Sequence, residues 1–309
     1  VFRIVFQWPP LLVLAASCNK EASIAEKELP VTMNITLPEL GTKAIADGQK
    51  VNNVHCIVFR NDRLISHTDV TKTITMSAGR ATYTTRLISG QTYKIAFWAE
   101  VAGNTYYTVD YSTATVTVSY GSAGNDEKRD AFFNAVEYTV TDATSALDVT
   151  LKRPFAQLNY GLSAADKALA DAISPIAKAE VSLDGGAYTK LNLLSGEVSA
   201  PATVPVVFAS APVISSEKLK VQPAGTSTVT EYEYLSMNYI LVNQEVTPNA
   251  TLKLYDASNA IVTTVSTSLV PLKRNYRTNI VGNLISEPAR INIVVDPTFN
   301  TPDNNTIVQ

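Results

Sequence analysis

The segment Val31-Thr32-Met33-Asn34-Ile35-Thr36-Leu37-Pro38 alternates apolar and polar side chains. Apolar residues two apart belong to a strand with one face in a core and the other toward water, whereas a helix needs them three and four apart. Val, Ile and Thr hold few χ1 rotamers and suit a pleated backbone, and Pro38, which has no N–H, stops the run. The register therefore selects Val31, Met33, Ile35 and Leu37 as the inward set.

The same pattern recurs along the chain. Short strands are expected at 54–59, 71–76, 80–87, 93–100, 106–110, 113–118, 135–140 and 146–151, most of them bounded by Gly, Asn or Asp. The second half continues with 156–162, 178–183, 196–198, 206–209, 218–221, 231–241, a hairpin of 252–255 and 261–265, then 270–274, 276–284 and 290–295. One helix interrupts the series at 164–171, with Ser163 as its N-cap and Pro175 beyond its end. Between strands, Asp126-Glu127-Lys128-Arg129-Asp130-Ala131-Phe132-Phe133 carries both charge signs and then aromatics, which suits a helical turn or an ordered loop crossing between sheets. Strands at this spacing predict β-sandwiches and not a parallel sheet. A length of 309 residues makes two of them the natural division, broken at Arg153-Pro154-Phe155.

Composition agrees. Hydrophobic residues make up 46% of the chain and charged residues only 17%, with 14 Tyr and a net charge of −3. A core can form, and the basic footprint that nucleic-acid binding needs is missing. The first sixteen residues are mostly apolar, Arg3 is their one charge, and Trp8-Pro9-Pro10 breaks them up. They suit a signal peptide and not a membrane span. Ala15-Ala16-Ser17 then leads directly into Cys18, and this junction resembles a bacterial lipobox. That resemblance implies cleavage between Ser17 and Cys18, acylation of Cys18 with palmitate, and retention on the outer membrane. Two or more acyl chains, at about 0.8 kcal/mol per buried methylene, hold a protein there stably. The division expected is 1–17 signal peptide, 18–30 tether, 31–153 and 154–298 the two sandwiches, and 299–309 a flexible tail.

Catalytic signatures are scarce. There is no Gly-x-Ser-x-Gly elbow, no His-Glu-x-x-His and no phosphate-cradling Gly-Lys-Ser/Thr loop. His55 and Cys56 are neighbours in a strand, so they point to opposite faces and cannot readily share a metal. Cys56 reads as a small buried hydrophobe. Asp126, Glu127 and Asp130 invite a calcium or carboxylate-pair reading, but Lys128 and Arg129 between them favour a charge network or structural lock. Trp98, Tyr106, Tyr107 and Tyr111 offer a sugar-stacking face, against which stands the commoner use of strand aromatics as core. No enzyme, no cofactor and no metal is expected.

Several segments together resemble the fimbrillin-like lipoproteins of Bacteroidales, the subunits and accessories of the type V pilus. They are Leu40-Gly41-Thr42-Lys43-Ala44, Tyr93-Lys94-Ile95-Ala96-Phe97-Trp98-Ala99-Glu100 with Tyr106-Tyr107-Thr108-Val109-Asp110, Asn125-Asp126-Glu127-Lys128-Arg129-Asp130-Ala131-Phe132, Leu151-Lys152-Arg153-Pro154-Phe155-Ala156-Gln157-Leu158, and Val270-Pro271-Leu272-Lys273-Arg274-Asn275-Tyr276-Arg277-Thr278-Asn279-Ile280-Val281-Gly282-Asn283-Leu284. The resemblance implies an all-β chain of two tandem transthyretin-like sandwiches with one short helix in the second. It implies a surface lipoprotein that builds or anchors a fimbrium and supports adhesion. It also implies protease cleavage after a basic residue, here Lys43 before Ala44, which removes the strand bearing Val31, Met33, Ile35 and Leu37. A strand from another pilus subunit then fills the gap. The expected partners are other pilus subunits, the outer membrane, and a host surface protein or glycan. The alternative expectation is a glycan-binding surface lipoprotein of the same architecture. The strand near the C-terminus, 291–295, reads equally as structural or as part of the exchange surface.

Overall fold

The computed structural model describes residues 27–38, 48–141, 146–222, 228–296 and 306–308. In the first half the strands are β1 (Glu28–Thr36), β2 (Asn53–Arg60), β3 (Arg63–Leu64), β4 (Lys72–Thr75), β5 (Arg80–Ile88), β6 (Thr92–Glu100), β7 (Tyr107–Asp110), β8 (Thr115–Val118), β9 (Phe132–Thr139) and β10 (Ala146–Thr150). After Pro154 come β11 (Phe155–Leu162), the helix α1 (Ala164–Ile173), β12 (Lys178–Leu183), β13 (Tyr188–Asn192), β14 (Val198–Pro201), β15 (Val206–Pro212), β16 (Ile214–Val221) and β17 (Thr230–Leu241). The series ends with β18 (Glu245–Val246), β19 (Ala250–Tyr255), β20 (Ile261–Thr267), β21 (Leu272–Lys273), β22 (Arg277–Gly282), β23 (Asn292–Asp296) and β24 (Thr306–Val308).

The architecture is all-β, two sandwiches with one short helix in the second, as expected. In the first, a sheet ordered β10-β1-β5 faces one ordered β3-β2-β6-β9, with β4 also on β2. Val31, Met33, Ile35, Val54, Tyr83, Ile95 and Phe97 fill the space between them. In the second, a six-stranded sheet, β16-β17-β11-β22-β23-β24, faces β15-β12-β19-β20, and Leu158, Leu162, Val181, Phe208, Leu252 and Ile280 fill it. Along β12 alternate residues are buried, the pattern of a strand with one dry face. Along β11 and β22 every residue is buried, because both faces are covered. The helix begins where Ser163 Oγ accepts the Asp166 amide at 3.2 Å. Buried Asp166 accepts from Ile285 N at 2.6 Å, which fixes the helix to the loop after β22.

What covers the second face of β11 and β22 is a third layer absent from the sequence reading. The sheet β14-β13-β8-β7 takes two strands from each half of the chain. It shares one core with the outer faces of both sandwiches: Ile57, Trp98 and Val116 from the first half meet Leu191, Met237, Tyr239 and Val281 from the second. Trp98 meets Tyr107 edge-on at 5.1 Å and Phe155 at 6.4 Å, and Phe155 meets Tyr239 at 6.4 Å, favourable aromatic geometries. The expected division at 153/154 falls between β10 and β11, yet this sheet crosses it. The tail differs as well: 306–308 forms β24 against β23.

The mixed-charge segment is a 3-10 turn, Glu127–Arg129, capped by Asp126, which leads into β9. Asp130 takes both ends of the Arg153 guanidinium at 2.8 Å, and neither side chain reaches solvent beyond 2%. The Arg153 guanidinium also lies 4.5 Å from the centre of the Phe132 ring. The pair ties the start of β9 to the start of β11, so the lock reading is the one the geometry supports. Arg129 is likewise buried, 3.9 Å over the ring of Tyr106.

Candidate functional site

The four inward residues of the opening segment are in place: Val31, Met33, Ile35 and Leu37 lie in the core of the first sandwich, none more than 7% exposed. β1 is an interior strand. It lies between two others, antiparallel to β5 over nine positions and parallel to β10 over five. On its outer face Thr32 meets Thr84 across 2.9 Å, and Asn34 Nδ2 donates to Asp148 Oδ1 at 2.8 Å. At its end Leu37 N donates to Gly79 O, and Leu151 N donates to Thr36 O, both at 2.8 Å. Period two reports faces and says nothing about which strands flank a strand, so the interior position could not be read from the segment.

This placement has a mechanical consequence. Removing an edge strand uncovers one row of backbone groups, whereas removing β1 uncovers two. The facing edges of β5 and β10 would stand about 9.5 Å apart, twice the spacing of neighbouring strands and wide enough for one strand. The floor of that slot is the apolar strip vacated by the four side chains. Fully burying each is worth about 1.5–3 kcal/mol. Lys43 and Ala44, the expected cut site, and Ser17 and Cys18, the expected lipidation junction, lie outside the described residues.

The other sequence candidates are dispersed. Asp126 accepts the Tyr106 hydroxyl at 2.5 Å, Glu127 pairs with Lys50 at 3.2 Å, and Asp130 belongs to Arg153. The three carboxylates therefore serve three separate partners. Among the described residues no group of three or more His, Cys, Asp or Glu could hold a metal ion. The proposed aromatic face does not form: Trp98 and Tyr107 are buried between sheets, and Arg129 covers Tyr106. β23, which sequence reading left open, lies inside the six-stranded sheet between β22 and β24. No described helix is long and apolar enough to cross a membrane.

Cys56 is fully buried, and burial pushes its thiol up to about 12, Lys72 acting weakly the other way. Labelling by a disulfide reagent needs the thiolate, which is the attacking nucleophile. A C18S variant, with Cys56 as its one cysteine, is expected to stay unlabelled by a disulfide reagent at pH 8 for hours and to react at once in denaturant. Rapid labelling without denaturant would contradict the packing of β2. On the opposite face of β2, His55 lies within hydrogen-bond reach of both Glu100 and Tyr111, a juxtaposition across 56 residues of sequence that no motif signals.

A family model described as a family of unknown function, DUF6562, matches residues 21–309. No curated protein matches the chain. Among solved structures, a candidate polysaccharide-binding protein from Bacteroides thetaiotaomicron superposes with a TM-score of 0.52 at 11% identity, over 91% of this chain and 98% of that one. A candidate cell adhesion protein from Bacteroides uniformis gives 0.51 at 12% identity, over 87% and 98%. A fimbrial assembly protein from Parabacteroides distasonis gives 0.43 at 13% identity, over 87% and 95%. At these identities the likeness is one of fold.

Proposed function

The chain belongs to that family of unknown function, DUF6562, and from this premise we propose that it is a structural or anchoring subunit of a cell-surface fimbrium. In this reading it is a fimbrillin-like lipoprotein held by acylated Cys18, and it is assembled by strand exchange at the β1 slot. The observation that carries the reading is the interior position of β1. The chain segment that follows it, 39–47, contains Lys43, so one cut there would separate β1 from the rest of its sandwich. The freed slot would then select a donor by two rows of backbone hydrogen bonds and four apolar pockets, the recognition mode of strand addition. Cell adhesion, for which the B. uniformis protein is a candidate, comes to this chain on the shared fold. The chemistry proposed is non-catalytic: binding rests on sheet margins and packed faces.

Limited trypsin treatment of the folded protein tests this. The expected first product begins at Ala44, keeps the second sandwich intact, and passes into a ladder of polymers that resist dissociation in detergent. A product beginning at Ala44 that neither polymerises nor takes up an added β1 peptide, or an early cut elsewhere with 43–44 untouched, would remove strand exchange from the reading.

A further inference from the structure

An open sheet edge invites pairing with another strand, so folded proteins blunt their edges with charge, bulges, short strands or a covering segment. The two sheets of the second sandwich have four edges, and three are treated in this way. Along β15, Gly121 N donates to Val207 O at 3.0 Å and Ala209 N donates to Ser122 O at 3.1 Å, so the segment 121–124 covers it. β16 carries Glu217, Lys218 and Lys220, and β24 is three residues long. The fourth edge, β20, reads Ile261-Val262-Thr263-Thr264-Val265-Ser266-Thr267, without charge or proline and in residue types that favour strands. Its one irregularity faces Leu254 and Tyr255 at its start, and from Thr263 to Thr267 the register on β19 is unbroken. Among the described residues β20 pairs with no strand but β19.

Exposed apolar side chains gather at the same edge. Six large hydrophobic residues stand exposed among the described residues. Ile261, 59% exposed, opens β20, and Leu269, 68% exposed, follows its end. Leu169 and Ile173, one turn apart on α1, are two more. Ser174 Oγ donates to Asp256 Oδ2 at 3.0 Å, and Asp256 N donates to Ala260 O at 3.0 Å. The end of α1 is thereby set against the turn that leads into Ile261. Lys253, opposite Thr264 on β19, is already paired with Glu180 at 3.0 Å and brings no free charge to the edge.

The order of residue types indicates what fits. Thr263-Thr264-Val265-Ser266-Thr267 is a palindrome in kind: two hydroxyls, an apolar centre, two hydroxyls. An antiparallel copy of the same strand, related by a twofold axis at Val265, sets Thr263 opposite Thr267, Thr264 opposite Ser266, and Val265 opposite itself. Ile261 of each copy then falls beside Leu269 of the other. Cross-strand hydroxyl pairs already serve inside the chain, Thr32 with Thr84 at 2.9 Å and Thr92 with Thr139 at 2.8 Å. A twofold contact asks for one self-complementary patch and closes on itself, so neither edge is left to recruit a third chain.

We propose that β20 pairs with β20 of a second copy of this chain, antiparallel about Val265, so that two β15-β12-β19-β20 sheets become one continuous sheet. The contact lies in the second sandwich and needs no cleavage. It therefore goes beyond strand exchange at β1, and either can fail without the other.

Analytical ultracentrifugation of the uncut chain carrying Cys18→Ser is the test. A concentration-dependent species of twice 33.3 kDa is expected. Thr264 and Ser266 are exposed, so a charge at either stays out of the core. T264K and S266E each bring two like charges together near the axis and are each expected to weaken dimerisation about tenfold. The double variant T264K/S266E sets a lysine of each copy opposite a glutamate of the other and is expected to restore association, which also shows that the substituted edge still folds. A single species of 33.3 kDa at concentrations up to about 1 mM would overturn the proposal. So would a dimer that T264K and S266E leave unchanged, or single losses that the double variant does not restore.

Discussion

Replacing Asp130 with asparagine is expected to cost the protein about 3–5 kcal/mol, the loss found when one member of a buried ion pair is removed and the other is left uncompensated. Arg153 has no water to turn to: its guanidinium is sealed between Asp130 and the ring of Phe132. A fully exposed pair would yield no more than about 1 kcal/mol, so the size of the effect discriminates burial from surface pairing. R153M should fall in the same range, since it leaves the carboxylate stranded instead. The double variant D130L/R153M removes both charges and is expected to recover most of either single loss. Urea unfolding followed by tryptophan fluorescence measures all three, because Trp98 lies in the core just beyond the lock. A D130N loss below about 1 kcal/mol would mean that the pair is not sealed.

The same pair shows what the sequence could and could not convey. Arg153-Pro154-Phe155 and Asp130-Ala131-Phe132-Phe133 each place a charge beside bulky apolar residues. That favours a lock over a solvated run, but nothing local says that one charge finds the other across 23 residues. Strands whose alternation reflects one dry face, such as 31–37 and 178–183, were legible, as was the helix behind Ser163. β13 was not, because Tyr188-Thr189-Lys190-Leu191-Asn192 buries only Leu191 and offers no period to read. Its partner, β8, is more than seventy residues away. The third sheet was therefore invisible, and with it the fate of Trp98 and Tyr107, whose alternation suits an exposed face as well as a core closed by a later strand. The polar cluster at His55 shares this limit: His55, Thr73, Glu100 and Tyr111 come from four separate segments, and only the packing of β2, β4 and β6 with the β7–β8 hairpin gathers them.

A chain truncated to begin at Ala44 is expected not to hold its first sandwich unaided. The four inward residues of the opening segment, Val31, Met33 and Ile35 of β1 and Leu37 just beyond it, together contribute about 6–12 kcal/mol of apolar burial, against a total stability of about 5–15 kcal/mol for a typical domain. Loss of two ladders of hydrogen bonds adds to that deficit. The second sandwich has its own core and does not draw on β1, so amide exchange should rise across β2, β5, β6 and β9 while β12 and β19 stay protected. The decisive step is to restore the strand from outside. A synthetic peptide of residues 27–38, added in excess, should re-enter the slot and restore protection. A peptide carrying Ile35→Asp should not, because a carboxylate would then occupy a site with no exposure. A scrambled peptide that restores protection equally well would show that any apolar strand coats the wound, and that the slot selects nothing. Recovery by the native peptide alone would establish that the slot reads side chains at alternate positions, the property that ordered, subunit-by-subunit assembly requires and that aggregation through an exposed edge lacks.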